Sequence, residues 1–216
     1  MATIPATPGR LLLYDVPWTR YERLLRALDD RHLRLTYDRG TLEIMTLSHE
    51  HEGTSYLLGR FVDVLTEEAD LPVKAGRSTT FRRRKKEKGL EADNCYWIAN
   101  EKKVRGKKKI NLKVDPPPDL ALETDITHSS LDRLGIYRAL RVPEVWRFDG
   151  KRMVFLILGP DGQYWGRKDK CHVSISATAT PAAFSEHGCP SGRKLRRQKF
   201  SCLGAEANCS SISTFI

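Results

Sequence analysis

The residues in this sequence best suited to chemistry lie between Pro116 and Ser130, which reads PPPDLALETDITHSS. Three prolines stop any preceding element, and the run that follows is too short for a helix and carries acids at every second or fourth position, as a strand does. Counting by twos puts Asp119, Ala121, Glu123 and Asp125 on one face, with Leu120, Leu122, Thr124 and Ile126 on a core face. At roughly 3.3 Å per residue, the Glu123 and Asp125 Cα atoms are about 6.6 Å apart, whereas Asp119 lies about 13 Å from Glu123, too far to share one ion. A carboxylate on a buried strand is costly unless a cation sits beside it, and a divalent metal would supply that charge. Pairing with the chain's many Lys and Arg is the alternative. It is the commoner solution for any single acid, and weakest for Glu123, which directly follows Leu120, Ala121 and Leu122.

Three further groups belong beside this strand. The stretch from Glu91 to Ala99 reads as another strand with Asp93, Cys95, Trp97 and Ala99 on one face, so Asp93 is the acid to stand beside Glu123 if the strands are neighbours. Upstream, Ser48 begins a helix whose stripe Leu57, Phe61 and Leu65 projects back to Thr54 and Glu50, with His51 on its flank. Glu50 and the HEHE cluster read equally as a metal or water site and as acids drawn to a helix N-terminus. His49 and His51 are too close in sequence to share a face, so this is not the HExxH zinc arrangement. Downstream, Ser129 or Ser130 should cap a helix in which Leu131, Leu134, Tyr137 and Arg141 share a side, and Arg133 near its start can point back toward the carboxylates.

The elements that must hold these residues follow from periodicity. Pro17 to Leu28 predicts a packing helix with Trp18, Tyr21, Leu24, Leu25 and Leu28 at helical spacing, and Arg34 to Met45 predicts a β-hairpin turning at Asp38-Arg39-Gly40. Neither suggests chemistry. Leu71 to Gly76 reads as a connector and Ser78 to Phe81 as a short strand. After the helix begun at Ser129 or Ser130, EVWRFD, MVFLIL and QYW, separated by turns, predict an antiparallel meander.

A chain of 216 residues with 40% hydrophobic and 30% charged residues is ordinary for a soluble protein, while a net charge of +10 favours a polyanionic partner, nucleic acid first. No secretory or membrane-spanning run is present and MVFLIL is the longest later apolar run, so the expectation is a cytosolic protein with no membrane contact. Two charge runs stand out: Arg82, Arg83, Arg84, Lys85, Lys86 and Lys88, and then Lys102, Lys103, Arg105, Lys107, Lys108 and Lys109. Such runs are usually solvated hairpin tips. Flanking the same strands, they would place positive potential at one end of a sheet, where phosphates can be held without sequence preference. No oligomer signature is visible.

The order helix, strands carrying Asp93 and then Glu123, helix, strand resembles the PD-(D/E)XK nuclease superfamily, an α/β class with a restriction-endonuclease-like αβββαβ core and a mixed sheet. More narrowly, LTYDRGTLEIMTLSHEHE, GLEADNCYWIANE and PPPDLALETDITHSSLDRLGIYRALRVPEVWRFDG are similar to the restriction endonuclease family of the Uma-two type, over roughly residues 10–165. The resemblance implies a nuclease whose divalent metal is held by Asp93 and Glu123; the expected function is Mg²⁺- or Mn²⁺-dependent hydrolysis of DNA phosphodiesters, in which Asp125 or Glu50 assists, His51 orients water and Arg133 stabilises the phosphate. Two positions depart from the superfamily pattern: Asp125 stands where a Lys is expected, and Ala92 where relatives commonly carry Pro. Arg133 matches a helix Lys that some members use instead, but an arginine does not act as a proton acceptor. A basic nucleic-acid-binding pseudonuclease is therefore the alternative function.

Residues 1–165 thus form the expected nuclease-like domain. From Gly166 to Ile216 the sequence loses periodicity and carries Cys171, Cys189, Cys202 and Cys209. No CxxC pair or ordinary zinc-finger spacing occurs, so the segment reads as a disordered extension, or as an out-of-frame translation, rather than a zinc module.

Overall fold

The structure, a computed structural model, describes residues 9–29, 31–124 and 129–166. The expectations for Asp125 and for nearly all of the segment from Gly166 onward lie outside those residues.

An antiparallel five-stranded sheet comes from the N-terminal half, in the order β1 (Arg10–Leu13), β3 (Thr41–Thr46), β2 (Leu33–Asp38), β6 (Lys88–Glu91), β5 (Thr80–Arg83). The β2–β3 hairpin turns through Arg39 (φ 43°) and Gly40 (φ 89°), two left-handed residues whose twist suits a two-residue loop. Against this sheet α1 (Trp18–Ala27) buries Trp18 and Tyr21, and the Tyr21 ring stacks on Tyr37 at 4.6 Å between centroids. The second sheet is mixed and six-stranded, ordered β11 (Tyr164–Gly166), β10 (Met153–Leu158), β9 (Glu144–Phe148), β8 (Leu120–Thr124), β7 (Asn94–Trp97), β4 (Lys74–Ala75). Only β8 and β9 run parallel, with α4 (Arg133–Leu140) between them in the chain; a parallel pair needs such a crossover. Together these form a restriction-endonuclease-like α/β fold with the expected hairpin and meander.

Several local expectations change. Both faces of β8 are core. Leu120 and Leu122 pack with Leu58, Phe61, Val62 and Leu65 of α2 (His49–Glu68), while Ala121 packs with Ile136, Tyr137 and Leu140 of α4. A central strand between two helices is apolar on both sides, and alternation alone underestimates its burial.

On α2 the buried stripe is His51, Ser55, Leu58, Val62 and Leu65, and Leu57 is 49% exposed. The sequence offers two overlapping stripes because Leu57 and Leu58, like Phe61 and Val62, are adjacent. Packing on β8 keeps Phe61 and Leu65 in the core but takes Leu58 and Val62 with them in place of Leu57, so the buried face is centred toward Leu58 and carries His51 inward. The expected strand Glu91–Ala99 is two strands, β6 and β7, in different sheets; Ala92 and Asp93 make the passage between them and both are buried. The supposed connector contains β4, paired with β7. The cap of α4 is Asp132, whose carboxylate accepts from the Gly135 N–H at 2.8 Å, rather than either serine, and α4 buries Ile136, Tyr137 and Leu140 but not Arg141, its left-handed C-cap.

Candidate active site

The antiparallel register of β7 and β8 pairs Asn94 with Leu122, so the preceding residue, Asp93, stands across from Glu123. Asp93 Oδ2 accepts a hydrogen bond from the Thr124 N–H at 2.6 Å, closing the sheet around the bend. His51 Nε2 lies 3.0 Å from the same oxygen, and Arg34 of β2 meets Asp93 Oδ1 through Nη1. Asn94 ties α2 to this place by donating from Nδ2 to the carbonyl and hydroxyl of Ser55, both at 2.9 Å. Ser55 is one turn from His51, so this contact fixes the imidazole's approach.

Glu123 is engaged from the other side. Arg133 donates from Nε to Oε2 and from Nη2 to Oε1, both at 2.8 Å, and the Tyr137 hydroxyl donates to Oε1. The remaining reach of Arg133 links the two sheets: Nη1 donates to Thr36 Oγ1 and Nη2 to the Glu91 carbonyl, each at 2.7 Å. A planar, forked donor suits this role, since it can grip a carboxylate with one edge and hold neighbours with the rest. The start of the α4 region is pinned as well: buried Glu43 accepts from Ser130 N–H at 2.7 Å and from the Ser129 hydroxyl at 2.5 Å. Arg34, His51, Asp93, Glu123, Asp132, Arg133 and Arg147 all line one cavity of about 270 Å³.

Burial and then the Arg34 charge lower the His51 pKa, outweighing Glu52 and Glu123, so the imidazole is neutral at pH 7. Its Nε2–H then points to Asp93, while Nδ1 is buried with no hydrogen-bond partner in the protein. Burial also lowers the Arg34 pKa and, together with Glu123, raises that of Tyr137, which keeps the phenol protonated as a donor. For Arg133, burial alone would lower the pKa, but Glu123 turns the net shift upward and the guanidinium stays charged. A stability prediction follows for His51. Its folded pKa lies below the unfolded value of about 6.5, so between the two the unfolded chain binds more protons, and stability falls as pH drops below about 6.5. Urea unfolding midpoints measured from pH 8 to 5 should therefore decline more steeply for the native chain than for His51→Gln. Equal slopes would mean that His51 is not the group responsible.

A family model for Uma2, described as "Putative restriction endonuclease", matches residues 18–171. The chain belongs to the Uma2 family. Among curated proteins none matches it.

In this Uma2 protein the residues expected from sequence divide into three sets. Asp93, Glu123, His51 and Arg133 meet at the cavity. Glu50 is exposed on α2 and does not line it, because the helix turns His51 inward instead. Arg82, Arg83, Arg84, Lys85, Lys86, Lys107 and Lys108 lie outside the cavity lining. Most of them are exposed around the β5–β6 hairpin and the loop after α3 (Glu101–Val104). Arg83 donates to the Leu112 carbonyl at 3.3 Å, which brings the flanks of the two basic loops together, and Lys107 pairs with Asp115. Asp119 is occupied structurally, accepting from the Ile98 and Asn100 backbone at 2.8 and 2.9 Å.

Arg34, Thr36, Glu43, Tyr137 and Arg147 were not singled out by sequence. The available signal was the alternation of β2, where Leu33, Leu35 and Tyr37 leave Arg34 and Thr36 on the opposite face; that face reads as solvent until a helix and a second sheet cover it.

Members of this fold family typically use a divalent metal, and the donors here suit one of modest protein coordination. Mg²⁺ is often bound through one or two carboxylates with water completing its shell. Asp93 and Glu123 supply two, and among the described residues no group of three or more His, Cys, Asp or Glu side chains is gathered to hold an ion. Both carboxylates are at the same time paired with guanidinium groups.

Proposed function

We propose that the protein is a Mg²⁺- or Mn²⁺-dependent endonuclease hydrolysing DNA phosphodiester bonds. The observation that carries this reading is the opposition of Asp93 and Glu123 at the β7–β8 pairing, both lining one cavity together with His51 and Arg133. Those are the positions at which the Uma2 resemblance puts the acidic pair. A bound ion would supply Lewis acidity and ease deprotonation of water. Asp93 and Glu123 would hold it. Neutral His51, held against Asp93 at the cavity wall, would orient water, and Arg133 carries fixed positive charge to the phosphate without accepting a proton. Asp125 remains a candidate for assistance.

The basic loops suit the electrostatic part of DNA binding. Neutralising Arg84, Lys85, Lys86 and Lys108 together leaves the contacts of Arg83 and Lys107 in place. Each phosphate contact so removed should flatten the slope of log affinity against log salt by about 0.9. Filter binding to a short duplex at several salt concentrations measures this, and an unchanged slope would remove these loops from the interface.

The pairing of both carboxylates with arginine favours a second reading, a pseudonuclease that binds DNA without cutting it. Incubation of the purified chain with supercoiled plasmid separates the two. Nicking with Mg²⁺ or Mn²⁺ that stops with EDTA supports the enzyme; salt-sensitive binding with no nicking in either metal supports the pseudonuclease.

A further inference from the structure

The cavity contains its own counter-ions. Three arginines (Arg34, Arg133 and Arg147) and three carboxylates (Asp93, Glu123 and Asp132) line it, so its formal charges balance without any added ion. The pairing is specific. Arg34 reaches Asp93 from β2, and Arg133 reaches Glu123 with a two-pronged grip from the first residue of α4. On Asp93 the backbone of Thr124 and His51 occupy Oδ2 while Arg34 occupies Oδ1; on Glu123 Arg133 engages both oxygens. A divalent cation entering this arrangement meets the carboxylate oxygens already taken and two positive charges beside them, so it must displace a guanidinium or lie against it. A phosphate entering the same cavity meets guanidinium groups that bind phosphate by the same fork geometry they use for carboxylate.

We propose that Arg34 and Arg133 act as internal counter-ions that hold a divalent cation off Asp93 and Glu123 until a nucleic-acid phosphate draws a guanidinium away, so that cation and phosphate bind this cavity cooperatively. This deepens the nuclease reading and rests on Asp93 and Glu123 being the cation's ligands. The coupling is reciprocal: the factor by which phosphate improves cation affinity equals the factor by which the cation improves phosphate affinity. It makes the bare protein a poor cation binder, and its effect is a cation retained only where nucleic acid is present.

The test is a titration of the full chain with Mn²⁺ followed by electron paramagnetic resonance, with and without a saturating short DNA duplex bearing non-hydrolysable linkages, corrected for Mn²⁺ taken up by the duplex alone. The expected result is tighter Mn²⁺ binding with DNA by roughly 10-fold, within the usual range of coupling between sites. Arg133→Gln should raise Mn²⁺ affinity in the absence of DNA and reduce the gain that DNA brings. Arg34→Gln, acting on the other carboxylate, serves the same purpose if the Arg133 variant does not fold. Equal Mn²⁺ affinity of the native chain with and without DNA, with binding still lost in Glu123→Gln, overturns the counter-ion proposal while leaving the acidic pair as ligands. Mn²⁺ binding that is unaffected by Asp93→Asn and Glu123→Gln overturns both.

Discussion

Glu123→Ala should lower the unfolding free energy by about 3–5 kcal/mol, the usual cost of removing one partner from a buried ion pair. Glu123 is 7% exposed and receives Arg133 through two nitrogens and the Tyr137 hydroxyl, so its loss strands a guanidinium and a phenol that burial has cut off from water. Urea denaturation reads the change directly. The double substitution Glu123→Leu with Arg133→Met removes both charges, and it should recover a large part of the loss, because apolar replacement of a whole buried pair is often neutral or better. Arg133→Lys provides the complementary comparison. It keeps the charge but cannot reproduce the two-pronged grip on Glu123 together with the bonds to Thr36 and the Glu91 carbonyl, so it should be less stable than the native chain. Equal stability of Glu123→Ala and the native protein would mean that the pair is not buried as a unit in solution.

Asp93→Asn should reduce Mg²⁺-dependent plasmid nicking by on the order of 100-fold or more, given that even groups behind a metal's ligands typically cost about 10–100-fold when removed. The substitution is nearly isosteric. The Asn carbonyl can still accept from the Thr124 N–H, so the bend between β6 and β7 should survive, and a circular dichroism spectrum like that of the native chain would establish that. DNA affinity without metal should hold or rise, because a negative charge near the phosphates has gone. Loss of nicking with preserved binding assigns Asp93 to the chemistry. Nicking that persists at the native rate removes Asp93 from the site and with it the metal reading.

Much of the fold was legible in the sequence because its signals are local. The alternation around Arg39-Gly40 marked the β2–β3 hairpin, the proline stop before Asp119 marked β8, and turn residues separated the strands of the meander. Glu123 stood out for the same reason, an acid directly after an apolar run being a local anomaly, while Asp93 and Arg133 were placed beside it by the expected order of strands and helix. Sequence resemblance supplied the family, and with it the order of elements.

Tertiary structure decided which way each element faces. On α2 the adjacent Leu57 and Leu58 could each face the core, and only contact with Leu120 and Leu122 of β8 decides that Leu58 does, with His51 buried and Glu50 left in water. The passage from β6 to β7 at Ala92 and Asp93 is invisible to a period-two count, which runs through a bend as readily as along a strand. Arg34, Thr36 and Glu43 lie in a hairpin that suggested no chemistry by itself, because their partners are 59, 97 and 86 residues away, at Asp93, Arg133 and Ser129. Sequence fixes the charges available to the site, but whether a carboxylate faces water, a cation or an arginine depends on contacts between residues far apart in the chain, and here it is arginine that reaches both acids first.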